Sequence, residues 1–134
     1  MKVLVGTCLS GKSTLAELMS KGKRLFDIDS LYLSNDMEYG LNDVRDCIHA
    51  NQYNLDVAVI HGITVSNRIY LLGGLNVPID IVFCRTSLKT AMIRNSFRLH
   101  NQIPIDVIKH QFSNLQDIDH GLEKYHSIRY IVTK

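Results

Sequence analysis

Near its start the chain reads Gly6-Thr7-Cys8-Leu9-Ser10-Gly11-Lys12-Ser13, entered from Lys2-Val3-Leu4-Val5 and left through Thr14-Leu15-Ala16-Glu17-Leu18-Met19. This stretch fits G-x-x-x-x-G-K-[ST] at every fixed position. The apolar run before it and the helix-forming run after it are the context that the spacing needs. It reads as strand, glycine loop and helix.

The residue types suit a bound polyphosphate. Gly6 and Gly11 take backbone angles closed to other residues and let successive N–H groups approach an anion. A helix beginning near Lys12 adds its positive dipole end. Lys12 is then expected to reach the β- and γ-phosphates, and the Ser13 hydroxyl to be a Mg²⁺ ligand. Ser10 and Thr14 complete the expected nucleotide-binding set, with Thr14 chiefly a helix-start residue. The competing reading, a glycine turn followed by a chance Lys-Ser, leaves both flanks unexplained.

At 134 residues the chain is expected to be one domain, 1–134, with a core of its own. Its 46% apolar and 21% charged residues are ordinary for a globular protein. A net charge of +2 permits a polyanionic partner without demanding one. Cys8, Cys47 and Cys84 are an odd number without C-x-x-C spacing, which argues against a disulfide framework or zinc cluster and fits a reducing compartment. Cys8 is expected to be a small filler within the loop. No apolar run approaches a membrane span, so the expected location is the cytoplasm and no membrane partner is expected.

Further strands are expected at Leu25–Ile28, Asp56–Ile60, Ile79–Cys84 and Ile128–Val132. The run through Val57-Ala58-Val59-Ile60 is continuously apolar, as in a parallel sheet buried on both faces, and Ile79–Cys84 is expected to be another buried strand. Helices are expected from Asp36 to about Asn51, with a weak point at Gly40, then over Ser66–Leu72, ended by Gly73-Gly74, and over Thr90–Leu99. Another begins at Pro104 or Ile105, where proline suits a first helical position. Ile105, Ile108, Phe112 and Leu115 recur at helical spacing as a core stripe. Five strands alternating with helices give an α/β domain with a mostly parallel sheet, whose ligands sit beyond the carboxyl ends of the strands.

At the second strand's end, Phe26-Asp27-Ile28-Asp29 sets two carboxylates on one side of the sheet. Asp27 is expected to help hold hydrated Mg²⁺. Asp29, farther past the strand, is the expected base for an attacking hydroxyl. A pair of loop-capping carboxylates is the competing reading. Ser30 is either a cap or a substrate contact. Arg94 and Arg98, four apart on the expected helix, lie on one face. They are either a solvated face or part of a lid over ATP. Lys21, Lys23 and Arg24 follow the first helix and complement its dipole. His61 is either a substrate contact or a hydrogen-bonded residue of the sheet rim, the second being favoured. Asp117, Asp119, His120 and His126 have no metal-site spacing.

The glycine loop followed by an Asp-x-Asp strand end resembles the small P-loop kinases, the family of shikimate, gluconate and nucleotide kinases. Ile93-Arg94-Asn95-Ser96-Phe97-Arg98 followed by Ile103-Pro104-Ile105-Asp106-Val107-Ile108 resembles the lid of the kinase domain of bacteriophage polynucleotide kinases, where an R-N-S-x-R run precedes a P-I-D-V segment. The resemblance implies a P-loop kinase-like three-layer sandwich with a five-stranded sheet and a helical lid at about 94–110. It also implies ATP as donor, a hydroxyl as acceptor, a lid arginine at Arg98 and a nucleotide contact at Arg94, and it suggests a phage origin.

The sequence departs from that pattern twice. Asp27-Ile28-Asp29-Ser30 stands where the phage enzymes carry an Arg-Asp-Asp run, which leaves either aspartate open as base. Ile60-His61-Gly62 follows the third strand, where many P-loop proteins carry an acid. The expected function is an ATP- and Mg²⁺-dependent kinase acting on a hydroxyl of a nucleotide or polynucleotide, in particular a 5′-hydroxyl. A small-metabolite kinase of the shikimate or gluconate type and a non-catalytic nucleotide-binding regulator are the alternatives.

Overall fold

The computed structural model describes residues 1–27, 40–100, 102–116 and 128–133. Five strands, β1 (Lys2–Val5), β2 (Leu25–Asp27), β3 (Val57–Val59), β4 (Ile79–Cys84) and β5 (Ile128–Thr133), form one sheet in the order β2-β3-β1-β4-β5. Every pairing is parallel, with Val3 opposite Ala58 on one side and Ile81 on the other. The helices are α1 (Lys12–Met19), α2 (Leu41–Ala50), α3 (Val65–Leu72), α4 (Leu88–Ser96) and α5 (Ile105–Asn114).

Strand alternation divides the core in two. Val3, Val5, Ala58, Ile60, Ile81 and Phe83 face one way and meet Val44 and Ile48 of α2 and Leu71 and Leu72 of α3. Leu4, Val57, Val59, Val82 and Cys84 face the other way and meet Ala16, Leu15 and Met19 of α1. Helices thus cover both faces, which is why the central strands, apart from Lys2 and Asp80 near their starts, are apolar at successive positions rather than alternately. Among the described residues no helix is long and apolar enough to cross a membrane.

Several boundaries differ from the sequence expectation. Gly40 is not a weak point within a helix. It is extended (φ −72°, ψ 166°) and precedes α2, and its N–H donates to Asp43 Oδ2 at 3.1 Å, so the carboxylate closes the first turn. The part of that expected segment before Gly40, like Ile28, lies outside the described residues. Helix α4 begins earlier than expected because the Ser87 Oγ accepts from the Thr90 N–H at 3.0 Å, an N-cap. It also ends earlier, at Ser96, so Arg98 and Leu99 are not helical and Arg94 and Arg98 do not share a helix face. Helix α5 begins at Ile105, one of the two expected starts, with Pro104 as the residue before it. Of the expected stripe, Ile108 is buried and Phe112 and Leu115 pack partly, but Ile105 is exposed because it leads the helix into solvent.

Candidate active site

The loop between β1 and α1 is shaped by its glycines. A Cβ on Gly6 would stand 2.5 Å from the Cys84 carbonyl oxygen and 2.9 Å from Ser10 Oγ, so the loop crosses the end of β4 only because no side chain is there. Gly11 has φ 86°, in the left-handed region, and its carbonyl accepts the N–H of Leu15 at 3.0 Å to open α1. Leu9 also has a positive φ, 63°, which is strained for a residue with a branched side chain.

Two helices from the far end of the chain hold this loop. Arg94 of α4 donates from Nη1 to the Leu9 carbonyl at 2.8 Å. Gln111 of α5 accepts the Cys8 N–H at 2.7 Å, and the buried Cys8 side chain packs with Ala91 and Ile108. Cys8 is thus the filler the sequence suggested.

Lys12 is 3% exposed, and its ammonium donates to the Thr7 carbonyl at 3.0 Å. It also lies 3.3 Å from Nδ1 of His61. His61 stands just past β3, and its carbonyl accepts the Gly6 N–H at 3.0 Å. Burial, with help from the Lys12 charge and against that of Asp27, pushes the imidazole down to about 4. The ring is therefore neutral near pH 7, and Nδ1 is an acceptor for the ammonium. The sequence reading of His61 as a hydrogen-bonded residue of the rim agrees with this geometry, but nothing in the sequence named Lys12 as its partner.

The loop floors a cavity of about 580 Å³ lined by Gly11, Lys12, Ser13, Thr14, Arg94 and Arg98, together with Leu9, Ser10, Leu15, Leu18 and Cys84. Among the described residues three cationic side chains and no carboxylate line it, which suits a polyanion. The Ser10 Oγ is buried there without a hydrogen-bond partner among the described residues. Arg94 and Arg98 reach the same cavity although the chain between them has left the helix.

The remaining site candidates divide. Asp27 ends β2, half-buried, in register with Val59, and its charge is felt at His61. Asp29 and Ser30 lie outside the described residues, as do Asp117, Asp119, His120 and His126. Arg24 does not serve the end of α1. It pairs with Asp56 at 3.4 Å and donates to Asn54 at 3.3 Å, fastening the start of β2 to the segment before β3.

Sequence reasoning missed Gln111 and the buried Arg68. The Arg68 guanidinium donates to the carbonyls of Gly62 at 2.6 Å, Ile63 at 3.3 Å and Gln116 at 3.3 Å, and lies 5.3 Å from the Phe83 ring centre. It fixes the turn that follows His61. The contacts of Gln111 with Cys8 and of Arg68 with Gln116 join residues distant in sequence, and no local pattern announces them.

No family model matches the sequence, and no curated protein matches it significantly. Solved structures do resemble it. A sugar kinase from Janibacter sp. HTCC2649 superposes with a TM-score of 0.72 at 15% identity, covering 98% of this chain and 83% of that one. A gluconokinase from Sinorhizobium meliloti 1021 gives 0.65 at 19% identity, covering 98% and 81%. Shikimate kinase from Acinetobacter baumannii, in complex with shikimate, gives 0.57 at 17% identity, covering 99% and 83%. At such identities the likeness is one of architecture: the chain has the α/β fold of the small P-loop kinases, with its glycine loop at the carboxyl end of the parallel sheet.

Proposed function

We propose that the chain, acting as a single domain, is an ATP-dependent kinase that moves the γ-phosphoryl of ATP to a hydroxyl acceptor. The observation that carries this reading is the cavity over the glycine loop, with Lys12, Arg94 and Arg98 around it and, among the described residues, no acid in its lining. Its volume, about 580 Å³, lies within the range of small-ligand sites.

In this reading the loop N–H groups and the start of α1 hold the polyphosphate, with Gly6, Ser10, Gly11, Ser13 and Thr14 shaping the cradle. Lys12 and Arg98 neutralise charge on the phosphoryl group in transit, and Arg94 contacts the nucleotide while holding Leu9. Asp29 takes the proton from the acceptor hydroxyl, whose oxygen bonds to the γ-phosphorus as the bond to the β-phosphate bridging oxygen breaks and ADP leaves.

Ser13 and Asp27 offer a hydroxyl and a carboxylate, hard oxygen donors of the kind Mg²⁺ takes. Among the described residues no three His, Cys, Asp or Glu side chains gather as a cage. That donor set fits a Mg²⁺ that arrives with the nucleotide and keeps most of its water. A bound Mg²⁺ would supply neutralisation of the polyphosphate charge.

For the acceptor, the run from Arg94 to Arg98 and the segment from Ile103 to Ile108 support a nucleotide or the 5′-hydroxyl of a polynucleotide. The fold likeness to a sugar kinase and a gluconokinase supports a small polyhydroxylated metabolite at least as well. Transfer from γ-labelled ATP decides between them when a 5′-hydroxyl oligonucleotide, a nucleoside and nucleoside monophosphate mixture, and gluconate with shikimate are offered side by side. Label in the oligonucleotide or nucleotides supports the first acceptor, and label in the sugar acids alone supports the second. Bound ATP with label in no acceptor would favour a nucleotide-binding regulator and overturn the kinase reading.

A further inference from the structure

Within the run that carries both cavity arginines, Asn95 has no part in the site described above. It belongs to α4 and is 7% exposed, a position where an amide is costly unless both of its ends are paired. Both are paired with one residue. Asn95 Nδ2 donates to the Ile103 carbonyl at 2.9 Å, and Asn95 Oδ1 accepts the Ile103 N–H at 2.8 Å. The side chain thus closes on the backbone of Ile103 as one strand closes on another.

Between the two clamped positions the chain leaves the helix and presents Arg98. The Arg98 N–H donates to the Asn95 carbonyl at 3.1 Å, and the Arg98 carbonyl accepts from Gln102 Nε2 at 3.2 Å. Ile103 in turn packs partly against Cys8, Ala91 and Ile108, the cluster under the glycine loop. The backbone of Arg98 is therefore braced on both sides, while its side chain lines the cavity. Asn95 and Gln102 do not line it.

We infer that Asn95, assisted by Gln102, is a positioning residue that holds Arg98 over the phosphate cavity by clamping Ile103. The inference rests on the kinase reading for its consequence and on the hydrogen bonds for its mechanism. A free loop would spread the guanidinium over many conformers, and the entropy of ordering it would then be paid at each turnover.

The test joins amide measurements to a double-mutant cycle on the full chain. In Asn95→Leu, hydrogen exchange at the Ile103 amide is expected to quicken by about tenfold or more, while the Ile108 amide, bonded to the Pro104 carbonyl at 3.2 Å, keeps its protection. The heteronuclear NOE of the Arg98 amide should fall. Turnover should drop by about tenfold, with ATP affinity changed by less than about twofold. In an Arg98→Ala background, Asn95→Leu should cost no more than about twofold further, since its effect runs through the missing guanidinium.

Gln102→Ala, at an exposed position, should repeat the pattern more weakly and serves where Asn95→Leu does not fold. Unchanged mobility at Arg98 in a folded variant, or turnover losses that multiply in the cycle, would overturn the inference. A wild-type chain without transfer activity would refute the kinase reading instead, and the clamp would then stand or fall on the amide measurements.

Discussion

Lys12 and His61 face each other at 3.3 Å across the loop and the end of β3, and their pairing has consequences that separate substitutions can read. His61→Asn keeps a neutral acceptor near the ammonium and should bind ATP within about threefold of wild type. His61→Leu, which removes the acceptor, should weaken binding by about tenfold, the usual worth of a buried hydrogen bond to a charge. Equal affinities for the two variants by calorimetry would show that the ring does not hold Lys12. The same ring makes stability depend on pH. Its pKa falls from 6.5 to about 4 on folding, chiefly through burial, with Lys12 lowering it further and Asp27 raising it. Between those values the unfolded chain binds more protons, so this stabilisation is present above pH 6.5 and is lost as the pH falls toward 4. The full loss is on the order of 3 kcal/mol, and urea midpoints of the nucleotide-free chain should drop over this range and flatten in His61→Asn. Asp29→Asn should lower turnover by about 10²–10⁴-fold with little change in ATP affinity, and comparable losses in both would remove Asp29 as the base. The gathering of Lys12, Ser13, Arg94 and Arg98 around one cavity was legible in the sequence because the loop spacing and the run from Arg94 to Arg98 single them out. His61 was visible only as a residue at a strand end, since its partner lies 49 positions away.

The loop and α4 show what fixes an element's place. Gly6→Ala would drive a methyl group into the Cys84 carbonyl at 2.5 Å, a contact with backbone that no rotamer relieves. It should cost about 1–3 kcal/mol in denaturant unfolding and displace the loop. Unchanged stability would show that β4 and the loop are not in contact. Ser87→Ala removes the cap that starts α4 early and should cost about 1 kcal/mol. The strands around Val57–Val59 and Ile79–Cys84 were readable because burial on both faces leaves apolar runs without alternation. Helix ends were less readable. A serine cap, a carboxylate closing on Gly40 and the clamp of Asn95 on Ile103 decide them, and each depends on a side-chain rotamer rather than on periodicity.

The sheet order β2-β3-β1-β4-β5 brings the loop after β1 and the end of β4 to one cavity, with His61 past β3 beside Lys12, and α4 and α5 hold the loop. Ile81 in the central layer is fully buried, and Ile81→Ala should cost about 2–5 kcal/mol while leaving the cavity residues in place. The α/β layering follows from the sequence because each crossover carries its own helix-length segment between apolar runs. The grip of α4 and α5 on the loop does not follow from it, since Arg94 meets Leu9 and Gln111 meets Cys8 across most of the chain. Titration of Mg²⁺-ATP into the full chain by calorimetry, beside Lys12→Ala, tests the nucleotide site most directly. One molecule of ATP per chain, with affinity reduced by about tenfold or more in Lys12→Ala, is the expected result. No heat of binding to the wild-type chain, or equal affinity in the variant, would contradict a nucleotide site over the glycine loop.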